Sequence, residues 1–476
     1  PQIQFELISV RVDSLSRCGN TIDQQPDLAR LEQLAARAAR TDAPHHALHR
    51  WIRLFSRLGE SEAENQAIAR LKAIADADRF PRWRAIALQH EGRRYTTAGR
   101  WDEARATLEA ALGLFQSAGD PVGQVECLCY LTDMFAILVR PAEMNAYLEQ
   151  AQAFLKTSND PFMIIRILQA TYVVQFAQQD SDANLAVGQR ILDIAREIGD
   201  LTIEAVAHIY LGNSLVALGN LKETERHYAQ ALALYGAMAD RSGQAGALIN
   251  LGYLSLQLGL ATQAMDYFNQ AAETFGQIRE WRGQLNSWCG FCRAALMKAD
   301  YRQAHRAALK ALEQARTLRL QSEEAVALLI AGCAERELGV LGESRRYLEA
   351  AVGVHRDLRQ PVSLAEDLSE LIATYVLMGE RSLALAHADE LLMLYNDHSD
   401  NLYAPQSALW AAAQAYALAE QPAVAADLLE RAWAVMHEKA AALADPGMRE
   451  SFLNLPKNRQ ILAAVRERRG VARTGA

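Results

Sequence analysis

The chain is poor in the features that mark β-proteins, disulfide scaffolds and membrane proteins. Aromatic residues are 7% of 476 and β-branched runs are scarce, so there is little from which to build sheets. Six cysteines, at 18, 127, 129, 289, 292 and 333, are too few to staple a chain of this length. No stretch of about 18 uncharged apolar residues occurs, which removes an apolar membrane span. The opening PQIQFELISV has neither Met nor a secretory pattern, and reads as part of a longer or processed protein. There is no basic surplus: the net charge is −8, against a general nucleic-acid binder. There is also no GxxxxGK[ST], GxSxG, HExxH or strand-borne GxGxxG, so no recognisable catalytic constellation.

Half of the residues are hydrophobic, with Ala and Leu foremost, a composition that favours packed helices. They recur with a period of forty. Gly99 is matched by Gly19, Gly59, Gly219, Gly259, Gly339 and Gly379. Asp120 is matched by Asp160, Asp200, Asp240, Glu280 and Asp400; Leu108 by Leu28, Ile68, Leu148, Tyr228, Phe268, Leu348 and Leu428. Ala111 recurs as Ala151, Ala231, Ala271, Ala311 and Ala351, with no insertion or deletion up to about residue 440.

Each recurrence has a physical reading. Gly accepts positive φ and closes a first helix. The apolar stripe Ala104, Leu108, Ala111, Leu112 and Phe115 predicts a second helix. Asp then caps the next one. Helices of about 17 residues would be about 25 Å long. The small residue at 104, repeated at 264, 304 and 384, predicts close helix approach. The 161–200 unit departs from the frame, with Gln179 for Gly and Gly188 for the large residue.

Gly92, Tyr95, Ala104, Leu108 and Ala111, with Leu211-Gly212 and Leu251-Gly252, resemble the tetratricopeptide repeat, whose usual period is 34. The longer unit is similar to arrays in large bacterial signalling proteins, such as the sensor regions of MalT-like transcription activators and of multidomain ATPase or cyclase regulators. The resemblance implies an all-α, right-handed superhelical solenoid of about eleven helical hairpins with a C-terminal capping helix pair. Residues 1–80 are expected to form degenerate N-terminal repeats, 81–440 the regular array, and 441–476 the capping helices and a frayed tail. Asp445 and Pro446 restart the chain there, with Met448, Phe452 and Leu453 placed to cover the last hairpin.

It also implies function. First helices would line a concave groove, and the family's groove positions fall on Gln89, Arg93, Glu126, Asp133, Arg166, Gln169, Asn213, Tyr253, Asn286 and Arg293, with Phe176 between them. Such a groove suits a protein or peptide partner. The expected role is a non-catalytic, cytoplasmic scaffold, the sensor or interaction arm of a larger bacterial regulator. The alternatives are a free-standing peptide receptor of the quorum-sensing tetratricopeptide type and the ligand-sensing arm of a transcription activator. No cofactor, metal, direct nucleic-acid contact or membrane contact is expected, and the oligomeric state is open. The cysteines read as buried, reduced core residues, the His45-His46 and His49 cluster as a solvated face, and Glu323-Glu324 likewise.

Overall fold

The computed structural model describes residues 2–17, 23–38, 40–58, 60–399, 402, 404–443 and 446–474, without the side chains of 61, 442, 448 and 470–474. Cys18, Gly19, Gly59, Asp400, Asp445 and the Met448 side chain therefore lie outside the described residues.

Twenty-four α-helices and no strand occur among the described residues. In chain order they are α1 (Gln2–Arg17), α2 (Gln24–Ala35), α3 (Ala43–Leu58), α4 (Ser61–Ala77), α5 (Pro81–Thr97) and α6 (Trp101–Ser117). There follow α7 (Pro121–Ile137), α8 (Pro141–Ala153, continued by a 3-10 turn), α9 (Pro161–Ala177), α10 (Ser181–Ile198), α11 (Leu201–Ala217) and α12 (Leu221–Ala237). The third group is α13 (Arg241–Gln257), α14 (Ala261–Gln277), α15 (Trp281–Met297), α16 (Tyr301–Leu318), α17 (Gln321–Glu337) and α18 (Leu341–Asp357). The last is α19 (Pro361–Met378), α20 (Arg381–His398), α21 (Pro405–Leu418), α22 (Pro422–Ala442), α23 (Pro446–Leu453) and α24 (Pro456–Thr474). The tail from Gly470, expected to fray, continues α24 to Thr474.

Turns and caps follow the sequence pattern. Gly99, Gly219, Gly259, Gly339 and Gly379 all have positive φ. Where the frame lacks Gly, the backbone keeps the turn: Val139, Gln179 and Ala299 adopt φ of 52°, 57° and 62°. Asp120, Asp160, Asp200 and Asp240 each accept a backbone N–H from the first turn of the following helix. Glu280, in the same frame position, does not cap.

Close packing explains the small residues. A Cβ at Gly92, Gly212, Gly252 or Gly332 would meet Leu108, Tyr228, Phe268 or Leu348 at 2.3–2.8 Å. In the α9–α10 hairpin large and small are exchanged: Tyr172 stands in the Gly position and Gly188 opposite it in the frame. Leu211 fills the space beside Gly188, and the Tyr172 hydroxyl donates to the Tyr210 carbonyl at 3.0 Å. Ala104, Ala231, Ala264, Ala271, Ala304 and Ala384 are fully buried, as the stripe predicts.

First helices contact the next first helices from α3 to α9 and from α11 to α21, whereas successive second helices of the array do not touch to that extent. First helices therefore form the inner, tighter surface of the solenoid. The array then meets itself. Arg57 of α3 pairs with Glu280, before α15, at 2.8 Å. The Trp101 indole at the start of α6 reaches the carbonyl of Leu358, after α18. At the C-terminal end α23 packs on α13, and α24 on α21 and α22.

Candidate functional site

The inner surface carries a cluster around Tyr130 of α7. Arg93 of α5 and Arg166 of α9 each place a guanidinium on its ring, at 4.9 and 5.2 Å from the centroid. Such cation–π contacts hold the long side chains in place. Arg166 also donates to Asp133 at 3.0 Å. Buried Gln89 donates to Glu126 at 2.9 Å. Five of the anticipated residues thus come together on α5, α7 and α9.

The other anticipated residues have separate settings. Gln169 is half-buried on α9. Phe176 is exposed and stacks on Tyr172 with ring centroids 6.3 Å apart. Asn213 accepts the Tyr228 hydroxyl at 2.6 Å, a contact inside its own hairpin. Tyr253 lies edge-on to Phe268 at 5.0 Å, again within one hairpin. Asn286 is exposed on α15. Arg293 holds Glu366 of α19 with two hydrogen bonds, at 2.8 and 3.3 Å. The guanidiniums of Arg166 and Arg293 are thus engaged by carboxylates of the chain itself, while Arg93 has none at ion-pair distance among the described residues.

Two adjoining cavities lie beside the Tyr130 cluster. One, of about 680 Å³, is bordered by α3, α5 and α7 and includes His49, Arg53, Arg57, Gln89, His90 and Arg93. The second, of about 380 Å³, shares Ser56, Arg93 and Tyr130 with the first. It extends past Trp101, Met134 and Ile137 to Arg282, Leu320 and Glu323 on the facing side. It therefore lies where the array meets itself.

Three expectations change. His45 is fully buried against Phe80 and Trp83, and the His49 ring lies 5.1 Å from that of His90, so this cluster is packed rather than solvated. Glu323 pairs with Arg282 at 3.1 Å and Glu324 with Arg316 at 2.8 Å. They take part in helix-to-helix ion pairs, with Glu323 in a cavity wall. Cys127, Cys129, Cys289 and Cys292 are buried as expected; burial pushes the Cys289 thiol up to about 12, against the thiolate that nucleophilic or metal chemistry needs. Cys333 is only half-buried.

Arg53, His90 and Tyr130 were missed, although the forty-residue frame points to all three. Arg53 stands in the frame position of Arg93 and Arg293, and His90 in that of Tyr130 and Tyr210. The weak signature of the second unit hid the first of these.

The hairpins, their Gly-to-large-residue packing and the inner surface of first helices define an all-α, tetratricopeptide-like helical solenoid. No family model matches the chain, and no curated protein sequence does. Solved helical-repeat structures align with it. The apo form of the quorum sensor NprR from B. thuringiensis is 13% identical over 73% of this chain and 97% of its own, at a TM-score of 0.49. A Rap protein complexed with competence and sporulation factor is 15% identical over 72% and 99%, at 0.45. A signal-transduction ATPase with a tetratricopeptide repeat sensor, from Pyrococcus horikoshii, is 16% identical over 71% and 54%, at 0.44.

Proposed function

We propose that the chain is a non-catalytic scaffold that holds a peptide segment on its inner face, beside the Tyr130 cluster. The observation that carries this reading is the pair of adjoining cavities sharing Ser56, Arg93 and Tyr130. Their walls mix guanidinium and amide groups with Ile86, Val122, Met134 and Ile137. A peptide uses both kinds of group, its backbone and charges on one and its side chains on the other. The seam bounds the second cavity from the facing side, which favours a short, extended segment over a folded domain. The wider role is the sensor or interaction arm of a cytoplasmic bacterial regulatory protein, and the same bounded channel supports the alternative of a free-standing peptide receptor.

The test is photo-crosslinking from two positions. A crosslinker replacing Ile137, which is 48% exposed in the second cavity, is expected to trap a partner. One replacing Arg226, on an outer helix, is expected not to. Arg93→Glu should then weaken binding of the trapped partner at least tenfold, or about 1.4 kcal/mol. Equal trapping from both positions would overturn the reading.

A further inference from the structure

The polar groups of the larger cavity fall into two sets. The first is matched within the protein. Arg82 pairs with Asp120 at 2.7 Å and Arg57 with Glu280 at 2.8 Å, while the Gln89 amide donates to Glu126 at 2.9 Å, a hydrogen bond that leaves the Glu126 charge in the cavity wall. The second is unmatched. Arg53 and Arg93 line the same wall, and neither has a carboxylate at ion-pair distance among the described residues. Arg93 lies on the Tyr130 ring, and the Glu64 and Asp133 carboxylates act on it only from beyond ion-pair distance.

His90 belongs to the second set. It lines the cavity, is 6% exposed, and its Nε2 has no hydrogen-bond partner among the described residues. A polar atom buried without a partner is costly, on the order of 1–3 kcal/mol, and calls for one. Burial, and then His49, Arg93 and Arg53, hold the His90 imidazole well below its ordinary range. Burial, Arg53 and Arg50 bring His49 down to about 4. Both rings are neutral at pH 7, so His90 can offer an Nε2–H donor without a charge of its own.

We propose that this cavity receives the phosphoryl group of a phosphorylated peptide, with Arg53 and Arg93 as its charge partners and His90 as a further donor. Guanidinium is donor-only, so the ligand group must be an acceptor and an anion. A carboxylate has two acceptor oxygens with about four lone-pair sites, fewer than two guanidinium forks and a ring N–H can fill. A phosphomonoester carries about −1.5 to −2 at pH 7 and has three acceptor oxygens for guanidinium forks and a ring N–H. The continuity with the second cavity through Ser56, Arg93 and Tyr130 provides for flanking residues, which a free phosphate or a small phosphorylated metabolite lacks. The proposal rests on the scaffold reading and assigns the ligand chemistry to one part of its channel.

The test uses the whole chain at constant ionic strength. O-phospho-L-serine, inorganic phosphate and acetate are titrated by calorimetry, followed by a phosphoserine peptide library and its unphosphorylated counterpart. Saturable binding of phosphoserine and phosphate, with none for acetate, is expected. Arg53→Gln and Arg93→Gln should each weaken it at least tenfold, and His90→Phe several-fold with melting temperature checked in parallel. Arg105→Gln, on an outer helix and paired with Glu109, should leave it unchanged. Library members should bind more tightly than phosphoserine alone, and only when phosphorylated. Absence of saturable binding, or binding that persists in the Arg53→Gln/Arg93→Gln double variant, overturns the site. Equal affinity for phosphoserine and the phosphopeptides overturns the peptide in favour of a small phosphorylated ligand. Crosslinking from position 137 is the separate readout. If it succeeds while phosphate fails to bind, the phosphoryl assignment falls and the scaffold stands. If phosphate binds and crosslinking from 137 and 226 is equal, the scaffold reading falls, and with it the peptide as the bearer of the phosphate.

Discussion

The indole N–H of Trp101 donates to the main-chain carbonyl of Leu358 over 2.7 Å, joining residues 257 positions apart. That separation is between six and seven forty-residue periods, so one turn of the solenoid touches the next. Arg57 and Glu280 make a second such contact, and the Ser242 hydroxyl donates to the same carboxylate at 2.7 Å. Gly99 lies at the seam too: a Cβ there would meet a Leu358 methyl at 2.4 Å.

Trp101→Phe keeps a ring in the seam but leaves the Leu358 carbonyl without this donor. The expected cost is about 0.5–1.5 kcal/mol. In a repeat array it should appear locally, as faster hydrogen exchange around residues 355–362. Trp101→Ala should open the seam further and raise the radius of gyration in small-angle scattering. Unchanged exchange in both variants would show that the seam is not held here.

Val139 adopts φ of 52°, a conformation that costs an L-residue about 1–2 kcal/mol, and β-branching makes it worse. Glycine relieves that strain and costs about 0.5–1 kcal/mol of extra chain entropy. Val139→Gly should therefore stabilise by up to about 1 kcal/mol, read from urea unfolding. The converse, Gly339→Val at φ 83°, should destabilise although nothing lies within 4 Å of its Cβ position.

On the repeat frame alone, Arg166→Glu is a surface change that leaves stability intact. The structure gives a different expectation. Burial raises the Asp133 carboxyl, Arg166 opposes that rise by donating to Oδ2, and Oδ1 has no hydrogen-bond partner among the described residues. A second carboxylate at 166 should cost about 1–3 kcal/mol. Arg226→Glu, at an exposed pair with Glu223, should stay within about 1 kcal/mol. Melting curves of the two variants that coincide would refute the contrast.

Glu370 of α19 binds Arg336 at 2.8 Å and also Lys457 of α24, tying the terminal helix to the array. Burial alone would raise its carboxyl, but Lys457 and Arg336 outweigh burial and hold it well below the usual carboxylate range. A depressed carboxylate contributes stability above its ordinary pKa of 4.5 and loses it as pH falls towards the folded value. Hydrogen exchange in α24 should thus accelerate on acidification below pH 4.5. Glu370→Gln should show the faster exchange already at pH 7. Slow exchange in that variant would mean that apolar packing alone holds α24.

Part of the candidate site was legible. Positions 93, 133 and 293 follow from the frame because a first helix presents the same face in every unit. Their partners did not follow. Arg293 finds Glu366 across a whole intervening hairpin, and Arg166 finds Asp133 one unit back. Which acid a given Arg meets depends on how strongly the inner face is curved, and the chain pattern does not encode that curvature locally. The packed state of His45 and the ion pairs of Glu323 and Glu324 escaped sequence reading for the same reason: their neighbours belong to other units.

The sequence by itself determined the helices, their ends and their pairing into hairpins. These depend on short-range terms: positive φ at the turn, a capping carboxylate, and a small residue facing a large one within forty positions. Only the tertiary structure decided where the array meets itself, and hence that Trp101 faces Leu358 and Arg57 faces Glu280. The rotation from each unit to the next is small, and the seam depends on its sum over about six units. Small local differences accumulate along that path, so residues more than two hundred positions apart become neighbours without any pattern in the chain announcing it.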